Sequence, residues 1–249
     1  HSGGFGGAIE NPAFALAQLL AQFKDRNGRI AIPGFYDDVR KLPAAERRAL
    51  ARLPFSAKKF QKDLGASALF GEKGFTTLER LWARPTLEVN GLYSGFIGEG
   101  AKTVLPCRAM AKVSMRLVPN QDPSKIARLF VRHVKRLAPK TVRVTVKEVS
   151  GRGTPWLVPT DHPSLQAVAR AIRKGFGKTP VYTRTGGTIP VVATLDRLLK
   201  APILLMGIGL PDENAHAPNE KLDLDNLHHG MLSAAYLLEE LAEATNATA

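Results

Sequence analysis

Apolar positions along the chain follow a helical period up to about Arg84 and a mixed period beyond it. Phe14, Leu16, Leu19, Leu20 and Phe23 recur at helical spacing and predict a helix from Ala13 to Lys24. Asn11 is placed to cap it, and Pro12 falls where a first helical turn tolerates proline. Residues 25–75 are charged and helical in pattern, with breaks at Pro33, Pro43 and Pro54, and are expected to form a surface insertion. Thr86–Asn90 then alternates as a strand does, and Lys112–Val118 alternates with Val113, Met115 and Leu117 on one face and Lys112, Ser114 and Arg116 on the other. Asp122 and Pro123 open a helix that runs to Leu137, and Thr141–Lys147 reads as a further strand. Strands followed by a helix and another strand predict a small α+β sandwich with helices on one sheet face.

Gly151–Pro155 reads as a linker. Past it come a helix from His162 to Phe176, a short strand at Pro180–Arg184, a glycine turn, a helix near 189–199, a buried strand at Ile203–Met206 and a long helix from Asp223 to Ala244. This order is the end of an α/β sheet. Two strands and three helices do not close such a layer, so this module is expected to draw further strands from an upstream segment.

Charge narrows the function classes. The formal net charge is +13, from 35 Lys and Arg against 22 Asp and Glu. Arg47–Arg48, Lys58–Lys59 and Lys135–Arg136 fall in separate helical segments, whereas a nucleic-acid footprint needs a contiguous basic surface. Solvated helix faces account for the excess, as does a fragment of an acidic-site enzyme that has left its carboxylates elsewhere. No nucleic-acid partner is therefore expected. No run approaches the roughly 18 apolar residues of a membrane-spanning helix, so no membrane association is expected either. One cysteine, Cys107, allows no internal disulfide, which neither requires nor excludes secretion; a cytoplasmic location is the expectation. The first residue is His1 rather than Met, from which an upstream segment is expected.

Few residues offer chemistry. Gly95–Thr103 has the outline of a phosphate-binding loop, but Ala101 separates Gly100 from Lys102–Thr103 and Leu105–Pro106 stand where a helix should begin, so it is not expected to bind a nucleotide. Cys107 has no recognisable base partner and is expected to be a structural thiol. His228 and His229 are adjacent on a helix and face apart, which makes them poor co-ligands. His162 is a helix-end residue, and His133 lies on an amphipathic helix. His216 lies in the polar loop Leu210–Glu220 directly after a predicted strand, where open α/β sheets place their ligand sites. By residue chemistry alone a lone histidine is more often structural, because zinc needs at least three protein ligands. Thr183–Pro190 joins a strand, a glycine turn and a helix; it is a plain tight turn or a carboxylate-binding one.

Several of these segments together resemble the zinc metallopeptidases that include carnosine dipeptidases, aminoacylases and bacterial carboxypeptidases. They are His1-Ser-Gly-Gly-Phe-Gly-Gly7, Gly98-Glu-Gly-Ala-Lys-Thr-Val-Leu-Pro106, Ser114-Met-Arg-Leu-Val-Pro-Asn120, Gly186-Gly-Thr-Ile-Pro190 and Asn214-Ala-His-Ala-Pro-Asn-Glu220. Each is weak alone, but their order and spacing are specific and nearest to the carnosinase-like dipeptidases. The resemblance implies an α+β, ferredoxin-like lid and dimerisation domain at residues 1–154, followed at 155–249 by the C-terminal part of an α/β catalytic domain.

The resemblance also implies roles. His216 would close a two-zinc site, with manganese as a possible substitute. Arg116 would hold the C-terminal carboxylate of a short peptide, as a guanidinium fork suits. Gly187 and Thr188 in the glycine turn would bind the same carboxylate. His1 and Thr103 would reach from the lid into the partner subunit of a homodimer, His1 supporting the oxyanion of the scissile carbonyl. The family's first metal histidine, bridging aspartate, general-base glutamate and adjacent glutamate ligand are expected upstream of His1. Thr185 stands where close relatives often carry glutamate, so the preferred substrate stays open. An N-acyl-amino-acid deacylase and a non-catalytic dimerisation module are the rival expectations.

Overall fold

The computed structural model describes residues 1–149, 151–158, 160–184 and 189–246. They form two compact units, His1–Trp156 with Arg184–Pro190, and Leu157–Thr183 with Val191–Ala249.

The first unit opens with a one-turn helix α1 (Ser2–Phe5), where the glycine pattern predicted a loop. The His1 imidazole caps it by accepting the Gly3 N–H, which compensates for the poor helix propensity of two glycines. Helix α2 (Pro12–Ala21) starts as predicted, with the Asn11 side chain accepting the Ala13 N–H at 2.9 Å. Its buried line is Ala15, Leu19 and Phe23, four residues apart, while Phe14 lies about 100° around the helix and is exposed.

Residues 25–43 correct the expectation of a surface insertion. They are turns rather than helix, and Ile30, Ile32 and Phe35 are buried with Leu19 and Phe23. The Tyr36 hydroxyl accepts the Ile30 N–H at 3.0 Å, and Ala31 N–H donates to Phe23 O at 2.8 Å, so the loop backbone is satisfied as it enters the core. Helices α3 (Ala44–Ala51), α4 (Ala57–Asp63) and α5 (Thr77–Ala83) follow. Pro43 stands at the cap of α3, and Pro54 precedes the Ser56 cap of α4.

Strands β1 (Thr86–Ser94) and β2 (Ala109–Arg116) pair antiparallel from Thr86 opposite Arg116 to Ser94 opposite Ala109, with an irregularity between Val89 and Gly91. β2 alternates as predicted: Val113 and Met115 pack on the core while Lys112, Ser114 and Arg116 are exposed. Helix α6 (Pro123–Leu137), capped by Asp122 through the Ser124 N–H, contributes Ile126 and Val134 to the same core. The unit is therefore α+β, a hairpin whose inner face is covered by α2 and α6. Among the described residues the strand predicted at Thr141–Lys147 is not in a ladder: β1 and β2 make a two-stranded sheet, and this segment packs Val146 on the core while the Thr141 hydroxyl donates to the Glu10 carboxylate.

The second unit is helical: α7 (Pro163–Phe176), α8 (Pro190–Leu199) and α9 (Leu224–Asn246). His162 caps α7 by accepting the Ser164 N–H, and Gly177 ends it with φ 66°. Helices α7 and α9 pack side by side, with Ala167, Ala171 and Ser233 fully buried. Glu240 of α9, also buried, takes Arg170 and Lys174 of α7. Pro180–Arg184 and Ile203–Met206 correct the sequence expectation, because among the described residues neither is in a ladder. Leu205 is exposed, so the apolar run 203–206 is not the buried strand its composition suggested. This helical layer with unpaired extended segments corresponds to part of an α/β domain.

Candidate functional site

His1 and Thr103 are brought together. The Ser2 N–H donates to the Thr103 carbonyl at 3.1 Å, so α1 is tied to the irregular segment between β1 and β2. Both residues are exposed. The Gly3 N–H approaches His1 Nδ1 at 3.1 Å. Only a lone pair on Nδ1 accepts that bond, so the neutral ring carries its proton on Nε2 and offers Nε2–H as a donor. The same bond limits rotation of the ring.

The segment carrying Thr103 has no helix after it, as the interrupted phosphate-loop pattern implied. Gly95 and Gly100 adopt φ 72° and 83°, the left-handed turns that let the backbone double back. The Lys102 ammonium lies 5.7 Å from the centre of the Phe96 ring, which steadies the stretch leading to Thr103.

Arg116 is on the exposed face of β2, at the end of the ladder. Its Nη1 donates to the Leu81 carbonyl at 3.1 Å, in the last turn of α5. A cation at a helix C-terminus meets carbonyls that have no intrahelical partner. One nitrogen is thus spoken for, and the guanidinium keeps further donors for a ligand.

Gly187 and Thr188, with Thr185 and Gly186, lie outside the described residues. The residue before them, Arg184, is fixed by its Nε and Nη2, which grip Glu46 at 2.5 and 2.7 Å. Burial pulls the Arg184 guanidinium below its ordinary value, against the opposing pull of Glu46. Sequence spacing gave no sign of this pair, whose members are far apart in the chain.

His216 is exposed, with φ 62°, in a loop that also holds Asn214 at 55° and Asn219 at 61°. The loop is closed by Lys221 N–H to Glu213 O at 3.0 Å, Ala217 N–H to Asn214 O at 2.9 Å and Lys221 Nζ to Asp212 at 2.6 Å. Left-handed backbone at a non-glycine residue costs about 1–2 kcal/mol and persists where the surroundings dictate it. The loop presents the His216 imidazole to solvent. Among the described residues no group of three His, Cys, Asp or Glu could hold a metal ion, so His216 has no co-ligand there.

Other histidines have packing tasks. His229 Nδ1 lies 2.8 Å from Gly175 O, and the rings of His228 and His229 are 5.9 Å apart and tilted by 60°. His133 is buried beside Phe23, with its Nδ1 3.0 Å from Arg136 Nη2. Cys107 is exposed, so it has no core role of the kind expected for a structural thiol.

Residues 1–142, which hold His1, Thr103 and Arg116, match the peptidase dimerisation domain of M20 peptidases. The chain belongs to the M20 peptidase family. This M20 chain is 32% identical over 247 residues to the Cys-Gly metallodipeptidase dug1 of Schizosaccharomyces pombe, an alignment covering 98% of the chain and 52% of the relative. It is 31% identical over 243 residues to the human Beta-Ala-His dipeptidase, covering 96% and 48%. The solved structure of the di-peptidase Dug1p from Saccharomyces cerevisiae superposes with a TM-score of 0.81 at 31% identity, covering 98% of this chain and 51% of that one. The chain therefore spans about half the length of the curated relatives it matches. No helix among the described residues is long and apolar enough to cross a membrane.

Proposed function

We propose that this chain supplies the lid and the closing part of the catalytic domain of a metal-dependent dipeptidase. Residues 1–154 form the lid and pair two subunits, and 155–249 belong to the catalytic domain. The observation that carries this reading is the backbone hydrogen bond from Ser2 to Thr103, which ties together the two exposed segments that carry His1 and Thr103, while the His1 ring, accepting from Gly3, keeps Nε2–H as a donor. Such a donor stabilises negative charge growing on a scissile carbonyl oxygen.

The remaining roles follow. Arg116 and the Gly187–Thr188 turn bind the free C-terminal carboxylate of a short peptide, so a second charged terminus is not needed at that end. His216 is one ligand of a pair of divalent ions, zinc or manganese, and the other ligands come from sequence beyond these 249 residues. Bound there, such ions supply an acidified water as the nucleophile. His1 and Thr103 reach in from the lid of the partner subunit, His1 facing the carbonyl oxygen and Thr103 flanking it, and Arg116 sets the distance from the carboxylate to the bond that is cut.

The test is hydrolysis by the protein extended to the length of its relatives, with and without a chelator, on free, N-acetylated and C-terminally amidated dipeptides. Chelator-sensitive cleavage that prefers free dipeptides supports the proposal. Faster cleavage of acetylated amino acids replaces it with a deacylase, and no cleavage with zinc or manganese supplied leaves a dimerisation module.

A further inference from the structure

Arg116 leans on a short helix whose two ends are tied down by ion pairs. Helix α5 is seven residues long and buries Leu78, Glu79 and Ala83. Two turns are too short to persist alone. Beyond that apolar packing, two buried carboxylates fix it. At its start, Thr76 and Glu79 form a reciprocal capping box, the Thr76 N–H donating to Glu79 Oε2 at 2.8 Å and the Glu79 N–H to Thr76 Oγ1 at 3.3 Å. The Glu79 carboxylate, 2% exposed, is gripped by the Arg47 fork of α3 at 2.6 and 2.9 Å, and Arg47 also donates to Gly74 O at 3.1 Å. Just past the helix, Arg84 grips buried Glu72 at 2.7 and 2.8 Å and lies over the Phe75 and Tyr36 rings at 4.3 and 4.9 Å. Arg80 Nε donates to Glu72 O at 2.9 Å.

Buried ion pairs are weak sources of stability relative to apolar replacements of the same shape, but they fix geometry. What the fixed helix presents at its far end is the Leu81 carbonyl that accepts from Arg116. We propose that Glu79 is a positioning residue for Arg116: locked by Arg47 and Thr76, it holds α5 so that the Leu81 carbonyl takes one guanidinium N–H and aims the others at a substrate carboxylate. This rests on the carboxylate role proposed above for Arg116. Freed from Leu81, the guanidinium regains rotamer freedom that carboxylate binding must then remove.

The experiment compares Glu79→Gln, Arg116→Ala and the double variant in the full-length dimeric enzyme, with free and C-terminally amidated dipeptides. Glu79→Gln keeps the side-chain shape and the acceptor for Thr76 while weakening the Arg47 fork. The expected result is KM for free dipeptides raised roughly tenfold with kcat within about twofold, no change in KM for amidated dipeptides, and no further rise when Arg116→Ala is added. Arg47→Lys, which keeps the charge but not the fork, gives the same pattern and serves if Glu79→Gln is insoluble. A rise that adds fully to that of Arg116→Ala, or that appears equally with amidated substrates, overturns the positioning role and leaves Arg116 in the carboxylate site. An unchanged KM in Arg116→Ala overturns both.

Discussion

Ser2 and Thr103 are a hundred residues apart in sequence and joined by one backbone hydrogen bond of 3.1 Å. That bond sets His1 beside Thr103, and it uses the first helical position of α1, where a missing N–H does not disturb the helix. Ser2→Pro therefore removes the tie and spares α1. In the full-length enzyme kcat is expected to fall about fivefold, the equivalent of about 1 kcal/mol for one hydrogen bond. Steady-state kinetics checks this, and an unchanged kcat would show that the tie does not position His1.

His133 makes the lid sensitive to acid. Burial, then the neighbouring Arg136 guanidinium, push its pKa below the ordinary 6.5, against a smaller opposing pull from the Gln22 backbone. The folded state thus binds the proton less well than the unfolded chain. Its contribution is complete above about pH 6.5 and is lost as pH falls from there through the lowered folded value. Urea midpoints of the isolated chain should drop between about pH 7.5 and about pH 5.5, and His133→Gln should flatten that slope. An equal slope in the variant would assign the acid sensitivity elsewhere.

Gly175 is where α7 meets α9. A methyl group there would run into the Ser233 hydroxyl and come within 2.9 Å of His229 O and Ser233 N. Gly175→Ala is expected to cost about 1–3 kcal/mol by overpacking, read as a lower Tm. Adding Ser233→Ala should recover only part of the loss, because the backbone atoms remain. Full recovery would mean that the helices move apart freely.

Local signals were legible in the sequence, and pairings across the chain were not. Asn11, Asp122 and His162, each followed by proline, cap helices within two residues of themselves, so their chemistry is contained in the motif. The alternation of Val113, Ser114, Met115 and Arg116 likewise needs only the strand's own period. Ile30, Ile32 and Phe35 were hidden because a loop that enters the core has no period to announce it. Thr141–Lys147 and Ile203–Met206 have strand composition, but a ladder depends on a neighbour that composition does not specify. The His1–Thr103 and Arg116–Leu81 relationships were equally nonlocal, although the residues themselves stood out by resemblance.

A single donor does not hold zinc tightly, because structural and catalytic sites use three or four protein ligands. Calorimetric titration of these 249 residues with zinc is expected to show no tight stoichiometric uptake, with the weak binding reduced further by His216→Ala. Tight one-to-one binding that survives His216→Ala would remove His216 from the metal site.

In the proposed dimer His1 serves the active site of the partner subunit while His216 serves its own. Mixing full-length His1→Ala and His216→Ala subunits, each nearly inactive alone, and allowing them to exchange tests it directly. Random reassortment makes half the dimers mixed, and each mixed dimer regains one complete site, so about a quarter of wild-type dipeptidase activity should return. No recovery, with exchange verified by mass, would place His1 and His216 in the same subunit's site or outside catalysis and rule out a shared active site.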